Sequence, residues 1–224
     1  MTRPAVLVAL LLAAAPATPA AQGRPGPWVE PSPRTFELTP QGGMFWSGTV
    51  TGSQGKLVFD VAPEAALAAN FQLDPRSQVE VLYLFARPPV RFVSSSPLHE
   101  SSPSFAVTTQ AVQLGGLTAF EVGTVEPFLS GGLGISWYHP DGIPDAAPSG
   151  IHPADAVVFS FHLGGGVKWW LSDAIGLRFG ARLLFPMLFS GGAFLSTGEG
   201  AALIVNAGIP TIQGDLTVGL AIAP

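Results

Sequence analysis

Residues 125–140 read VEPFLSGGLGISWYHP, and after a polar loop residues 156–189 read AVVFSFHLGGGVKWWLSDAIGLRFGARLLFPMLF. Sorted by parity, the odd positions hold Leu129, Leu133, Ile135, Trp137, Phe159, Phe161, Leu163, Val167, Trp169, Leu177, Phe179, Leu183 and Phe185. The even positions hold Glu126, Ser130, Gly132, Gly134, Ser160, His162, Gly164, Gly166, Lys168, Arg178, Gly180 and Arg182. Strand side chains alternate between faces, so one face is bulky and apolar and the other is small, polar and charged. That combination fits strands with lipid on one side and a crowded polar interior on the other.

Working outward, the same two-residue rhythm returns at residues 36–49, 65–73, 78–87 and 105–120 and again around Ile212–Ile222, which with the three strands above makes eight. The last strand sets Ile212, Leu216, Val218, Leu220 and Ile222 against Gln213, Asp215 and Thr217. The connections alternate long and short. Residues 74–77, 121–124 and 171–174 are tight turns, whereas 50–64, 88–104, 139–155 and 190–210 are long loops. This is the rule for an all-β, eight-stranded, antiparallel, up-and-down closed transmembrane barrel with short periplasmic turns and long outer loops. Ten steps from Pro127 to Trp137, at about 3.3 Å each and a tilt near 40°, cover about 25 Å, the height of such a barrel's apolar band. Trp46, Trp137, Tyr138, Trp169 and Trp170 are expected as an aromatic girdle at the two rims.

Composition agrees. Of the 224 residues only 11% are charged while 47% are hydrophobic, yet no run approaches the ~20 apolar residues of a membrane helix. Met1-Thr2-Arg3, an apolar core over residues 5–15 and small residues after it form a secretory signal peptide, with a cut expected near residue 21. Residues 22–35 form a Pro/Gly-rich tether, and residues 36–224 the barrel domain. With no cysteine, the exported chain has neither disulfides nor thiolate metal sites. The net charge of −5 and scattered basic residues exclude a nucleic-acid footprint. A soluble barrel with the apolar face inward is rejected. Its outside would be a poorly solvated run of Gly, Ala and Ser, and its inside would hold too much aromatic volume for eight strands.

Parity sends Glu37, Glu80, Glu126, Lys168, Arg178, Arg182 and Asp215 into the interior, where charges must pair or cost several kcal/mol each. The favoured reading is a structural ion-pair plug, since interiors of this size are filled by side chains. A narrow gated pore is the alternative. Ser160 and His162 share the inward face, but same-face neighbours on one strand stand about 7 Å apart, too far for a nucleophile–base hydrogen bond. His139, Asp141, Asp145, His152 and Asp155 crowd one loop without a compact ligand spacing. Gly164-Gly165-Gly166 lies inside a strand and so is not a phosphate loop. No catalytic, cofactor or metal site is assigned.

The hairpin FHLGGGVKWWLSDAIGLRFGAR, residues 161–182, and PFLSGGLG before it, residues 127–134, resemble small outer-membrane barrels of the OmpA-like and OmpW-like superfamily. The resemblance implies a porin-family barrel in a Gram-negative outer membrane, and not an activity. A monomer in contact with lipid and the barrel-assembly machinery, without a cofactor, is expected. The expected role is non-enzymatic, in envelope structure or surface display; the alternatives are a narrow channel for small or hydrophobic solutes and, from Ser160 and His162, a lipid-modifying hydrolase. Members usually end in an aromatic residue, whereas Pro224 holds that outward position here, and the peptidoglycan-binding domain of full-length OmpA-type chains is expected to be absent.

Overall fold

The computed structural model describes residues 34–52, 55–94, 104–120, 124–141, 152–153, 155–187, 195–196 and 212–224. The expected signal peptide and most of the expected tether lie outside the described residues, as does most of the last loop. In chain order the strands are β1 (Phe36–Ser47), β2 (Val50–Gly52), β3 (Gly55–Phe59), β4 (Ala62–Gln72), β5 (Ser77–Ala86), β6 (Pro89–Ser94), β7 (Ser104–Ala119), β8 (Val125–Asp141), β9 (His152–Pro153), β10 (Ala156–Trp170), β11 (Ile175–Met187), β12 (Leu195–Ser196) and β13 (Gln213–Ile222). Eight of them form a ring in the order β1-β4-β5-β7-β8-β10-β11-β13, every neighbour antiparallel, and the β1–β13 pairing closes it. A closed antiparallel ring has no open edge, so every strand's backbone ladder is satisfied on both sides.

At the turn end, residues 73–76 and 171–174 connect strands tightly: Leu73 N donates to Ser77 O and Leu171 N to Ile175 O, both at 2.9 Å. Asp74 tightens its turn further, Oδ1 accepting the backbone N–H groups of Arg76 and Ser77 at 2.9 Å each. At the loop end the structure departs from the expected loops. Residues 50–64 and 88–104 contribute β2, β3 and β6, and β6 joins β7 so that a small sheet continues beyond the ring. The segments GKLVF and PVRFVS carry enough β-branched and aromatic residues to keep pairing there.

The outer face of the ring is apolar on every strand, with Met44, Leu67, Val81, Val112, Leu133, Phe159, Phe179 and Leu216 among its exposed side chains. Apart from Asp141 at the loop end of β8, no charged residue takes an outward position on the eight strands. Phe161 and Phe185 sit directly across from one another on β10 and β11, and their rings stack at 4.6 Å. Inward-facing glycines let the wall curl tightly. A Cβ on Gly134 would lie 1.9 Å from Val112 O, and one on Gly166 2.0 Å from Phe179 O, so any side chain there would push adjacent strands apart.

The girdle expectation needs correction at two positions. Trp137 and Trp169 face outward and Trp46 is half-buried, but Tyr138 and Trp170 turn into the lumen, each 7% exposed. Alternation forbids two successive strand residues from sharing a face, so each Trp137–Tyr138 and Trp169–Trp170 pair splits between lipid-type and lumen-type surfaces.

Candidate functional site

The lumen is where this chain concentrates its chemistry. All seven charged residues sent inward by parity are buried there. Near the turn end Lys168 Nζ on β10 meets Glu37 Oε2 on β1 at 2.5 Å and Gln78 Oε1 on β5 at 3.2 Å, with Glu126 Oε1 on β8 at 3.4 Å. Thr39 Oγ1 donates to the second oxygen of Glu37 at 2.9 Å. Trp170 Nε1 donates to Glu126 Oε2 at 2.9 Å, which gives the buried indole the partner it needs. Arg34, just ahead of β1, stacks 3.7 Å over the Trp170 ring, donates to Asp173 O at 2.9 Å and approaches Glu126 at 3.9 Å.

One step further in, Arg178 Nη2 on β11 bonds Glu80 Oε2 on β5 at 2.6 Å, and Asn70 bridges both, accepting from Arg178 at 3.3 Å and donating to Glu80 at 3.2 Å. The Arg178 guanidinium also lies 4.5 Å over the ring of Phe128. In the ring of eight, β5 and β11 are diametrically opposed, so this bond crosses the whole lumen. Arg182 makes a third layer: its Nε reaches both oxygens of Asp215 at 3.0 Å, and its Nη2 reaches Glu64 Oε1 at 2.9 Å. A guanidinium's planar fork suits two carboxylates at once in a way an ammonium's point charge does not.

Glu64 belongs to this layer but is absent from the parity list, because β4 begins at Ala62 rather than at residue 65. Pro63, normally a sign that a strand has not begun, faces outward here and hides the start. Asn70 and Gln78 take inward positions by the same alternation, yet their partners depend on cross-barrel register that one strand's sequence does not carry. Arg34 fell in the tether.

The lumen is also less polar than expected. Phe45 on β1, Leu84 and Ala86 on β5, Ala111 on β7 and Leu184 on β11 form one buried apolar cluster. Leu117, Ala119 and Phe128 form another toward the turn end.

Ser160 and His162 are both buried in the lumen, but Ser160 Oγ bonds Gln113 Nε2 at 2.6 Å and Ser136 Oγ at 2.8 Å rather than the imidazole. Neither nitrogen of His162 has a hydrogen-bond partner among the described residues, and Nε2 stands 4.0 Å from Glu80. Ser160 and His162 therefore do not make the nucleophile–base hydrogen bond on which a Ser–His site relies. At the loop end His139 lies between two carboxylates, Nδ1 at 2.5 Å from Asp155 and Nε2 at 3.5 Å from Asp141. The two aspartates address opposite ring nitrogens and so do not converge on one point, as ligands of a single ion must. Thr108 and Arg87 also bond Asp141, at 2.5 and 3.1 Å. The Thr108 hydroxyl first, then Arg87 and His139, hold that carboxyl below its usual range. Asp145 lies outside the described residues, and His152 pairs with Ser196 in a two-stranded ladder.

No family model matches the chain, and no curated protein matches it in sequence. Among solved structures the fold is similar to Neisserial surface protein A, with 12% identity, 85% of this chain and 97% of that chain covered, and a TM-score of 0.54. It is also similar to the outer membrane protein OprG from Pseudomonas aeruginosa, with 10% identity, 84% and 96% coverage, and a TM-score of 0.50. At such identities the likeness shows the fold: a small, closed, eight-stranded antiparallel barrel.

Proposed function

We propose that this chain is a non-enzymatic integral protein of a Gram-negative outer membrane. It is made with a cleaved signal peptide and inserted by the barrel-assembly machinery. As a monomer with a lumen closed by its own side chains, it would serve envelope structure or display the loop end at the surface. The belt supports the location. Water would have to solvate a continuous band of Leu, Val, Phe and Ile around all eight strands, whereas hydrocarbon takes that band without cost and penalises only charges, which the belt lacks. The turn end would face the periplasm.

The observation that carries the closed-lumen reading is the 2.6 Å bond between Arg178 and Glu80, made by diametrically opposed strands. A side-chain pair bonded from wall to wall shows a lumen narrow enough for its own side chains to fill, as interiors of this size are. Reconstitution of the purified barrel in planar bilayers tests it: ohmic, long-lived single-channel steps would replace this reading with that of a narrow pore. The pore reading draws its support from lumen atoms without partners, among them Glu64 Oε2, Glu80 Oε1, Ser130 Oγ and both His162 nitrogens. Such groups are normally satisfied by internal water.

A further inference from the structure

The geometry points to the apolar layer of Phe45, Leu84, Ala86, Ala111 and Leu184, rather than the ion pairs, as the element that keeps ions from crossing the lumen. This rests on the closed-lumen reading and says which residues close it. Leu84 on β5 and Leu184 on β11 come from opposed strands yet belong to one contiguous buried cluster, so the layer spans the interior. Its side chains are sealed from solvent, none more than 3% exposed.

Its position along the axis is fixed by chain direction. On β1, Phe45 lies loopward of Glu37. On β5, Leu84 lies loopward of Glu80, and on β11, Leu184 lies loopward of both Arg178 and Arg182. Seen from the loop end, the apolar layer therefore stands in front of the Lys168 and Arg178 layers.

The two kinds of layer resist ions differently. Each ionic layer holds polar atoms without a hydrogen-bond partner among the described residues: Glu126 Oε1 in the first, Glu80 Oε1 and Arg178 Nε in the second, and Glu64 Oε2 in the third. Buried groups of this kind are normally satisfied by internal water, and a long guanidinium can exchange one carboxylate for another without leaving the lumen. The apolar cluster offers no donor or acceptor of its own, and the polar side chains across from it in register are already bonded: Asp215 beside Phe45 and Glu64 beside Ala86 to Arg182, Gln213 beside Leu184 to Tyr138, and Ser136 beside Ala111 to Ser160. A hydrated ion passing between Leu84 and Leu184 must shed its shell with little in exchange, which is how a hydrophobic constriction closes a pore by dewetting.

Two sets of replacements in planar bilayers, each protein first shown to migrate as a folded heat-modifiable barrel, separate the layers. Arg178→Gln with Glu80→Gln removes the cross-lumen ion pair at nearly constant volume and is expected to leave conductance at the wild-type baseline. Adding Leu84→Ser with Leu184→Ser to that pair is expected to raise conductance at least tenfold. An open channel from the ion-pair replacement alone overturns the assignment, as does a four-site variant no more conductive than the two-site one. A conducting wild type instead overturns the closed-lumen reading on which the assignment rests. The unmutated barrel supplies a measurement that needs no replacement to fold. In isotope-labelled protein, water cross-peaks are expected at the Thr39 and Thr217 methyls and not at those of Leu84, Ala111 and Leu184. Cross-peaks of equal intensity at both sets overturn the assignment.

Discussion

Replacing Arg178 by Met would strip the middle of the lumen of its cation while keeping much of its length. Arg178 is 3% exposed, bonds Glu80 at 2.6 Å and Asn70 at 3.3 Å, and stacks on Phe128. Without it, Glu80 keeps only the Asn70 amide within hydrogen-bonding distance, since the His162 imidazole is 4.0 Å away. Arg182 gives little relief, because Asp215 and Glu64 already hold it at 3.0 and 2.9 Å. An uncompensated carboxylate in such a place costs about 3–5 kcal/mol, roughly two to three and a half powers of ten in the folding equilibrium. Adding Glu80→Gln removes the orphaned charge, so the double variant is expected to lie within about 1.5 kcal/mol of wild type and the cycle to show roughly 2–3 kcal/mol of coupling. Urea titration in lipid vesicles, approached from both the folded and unfolded sides and read by the gel shift of the intact barrel, gives the four free energies. Two single variants each within about 1 kcal/mol of wild type, or a strictly additive double, would refute the reasoning.

Three other outcomes follow from local geometry. Gly134→Ala, whose new Cβ would fall 1.9 Å from Val112 O, should destabilise the barrel by about 1–3 kcal/mol or prevent closure, whereas Gly42→Ala, with its nearest neighbour at 3.9 Å, should be near neutral in the same titration. Leu163→Arg, facing outward midway along β10, should cost about 2–4 kcal/mol in a bilayer, while Leu73→Arg in the turn should cost roughly 0–1; equal costs would count against a lipid-facing belt. The Asp74 carboxyl is held below its usual range, chiefly by the Arg76 N–H and also by Ser77. Its contribution is therefore complete above the unfolded value near 3.9 and lost as pH falls through the lower folded one, so Asp74→Ala should flatten the acid limb of unfolding below about pH 4, and an unchanged limb would contradict it.

Much of the architecture could be read in advance because lipid and lumen impose opposite chemistry on alternate residues. Leu129, Leu133 and Ile135 against Ser130, Gly132 and Gly134 leave no choice of face. β7 was harder to read since Ala111, Leu117 and Ala119 are apolar yet point inward, blurring the contrast that a strand's parity offers. The ionic residues were legible singly. Their pairing was not, because which carboxylate meets Arg178 is set by the stagger between strands on opposite walls. Glu64 escaped notice behind Pro63 and a run of alanines too small to mark a face. The apolar seal was hidden for a related reason. Phe45, Leu84 and Leu184 sit on different strands far apart in sequence, and only ring closure brings them together.

The account turns on apolar residues meeting hydrocarbon while charged ones meet each other inside a closed ring. Fractionating cells that express the full chain, then comparing gel mobility of detergent-extracted protein with and without boiling, tests this most directly. The account predicts recovery with the outer membrane only on adding detergent, and a clear mobility difference between the two samples. Protein that stays in solution without detergent, or that migrates identically before and after boiling, would contradict it.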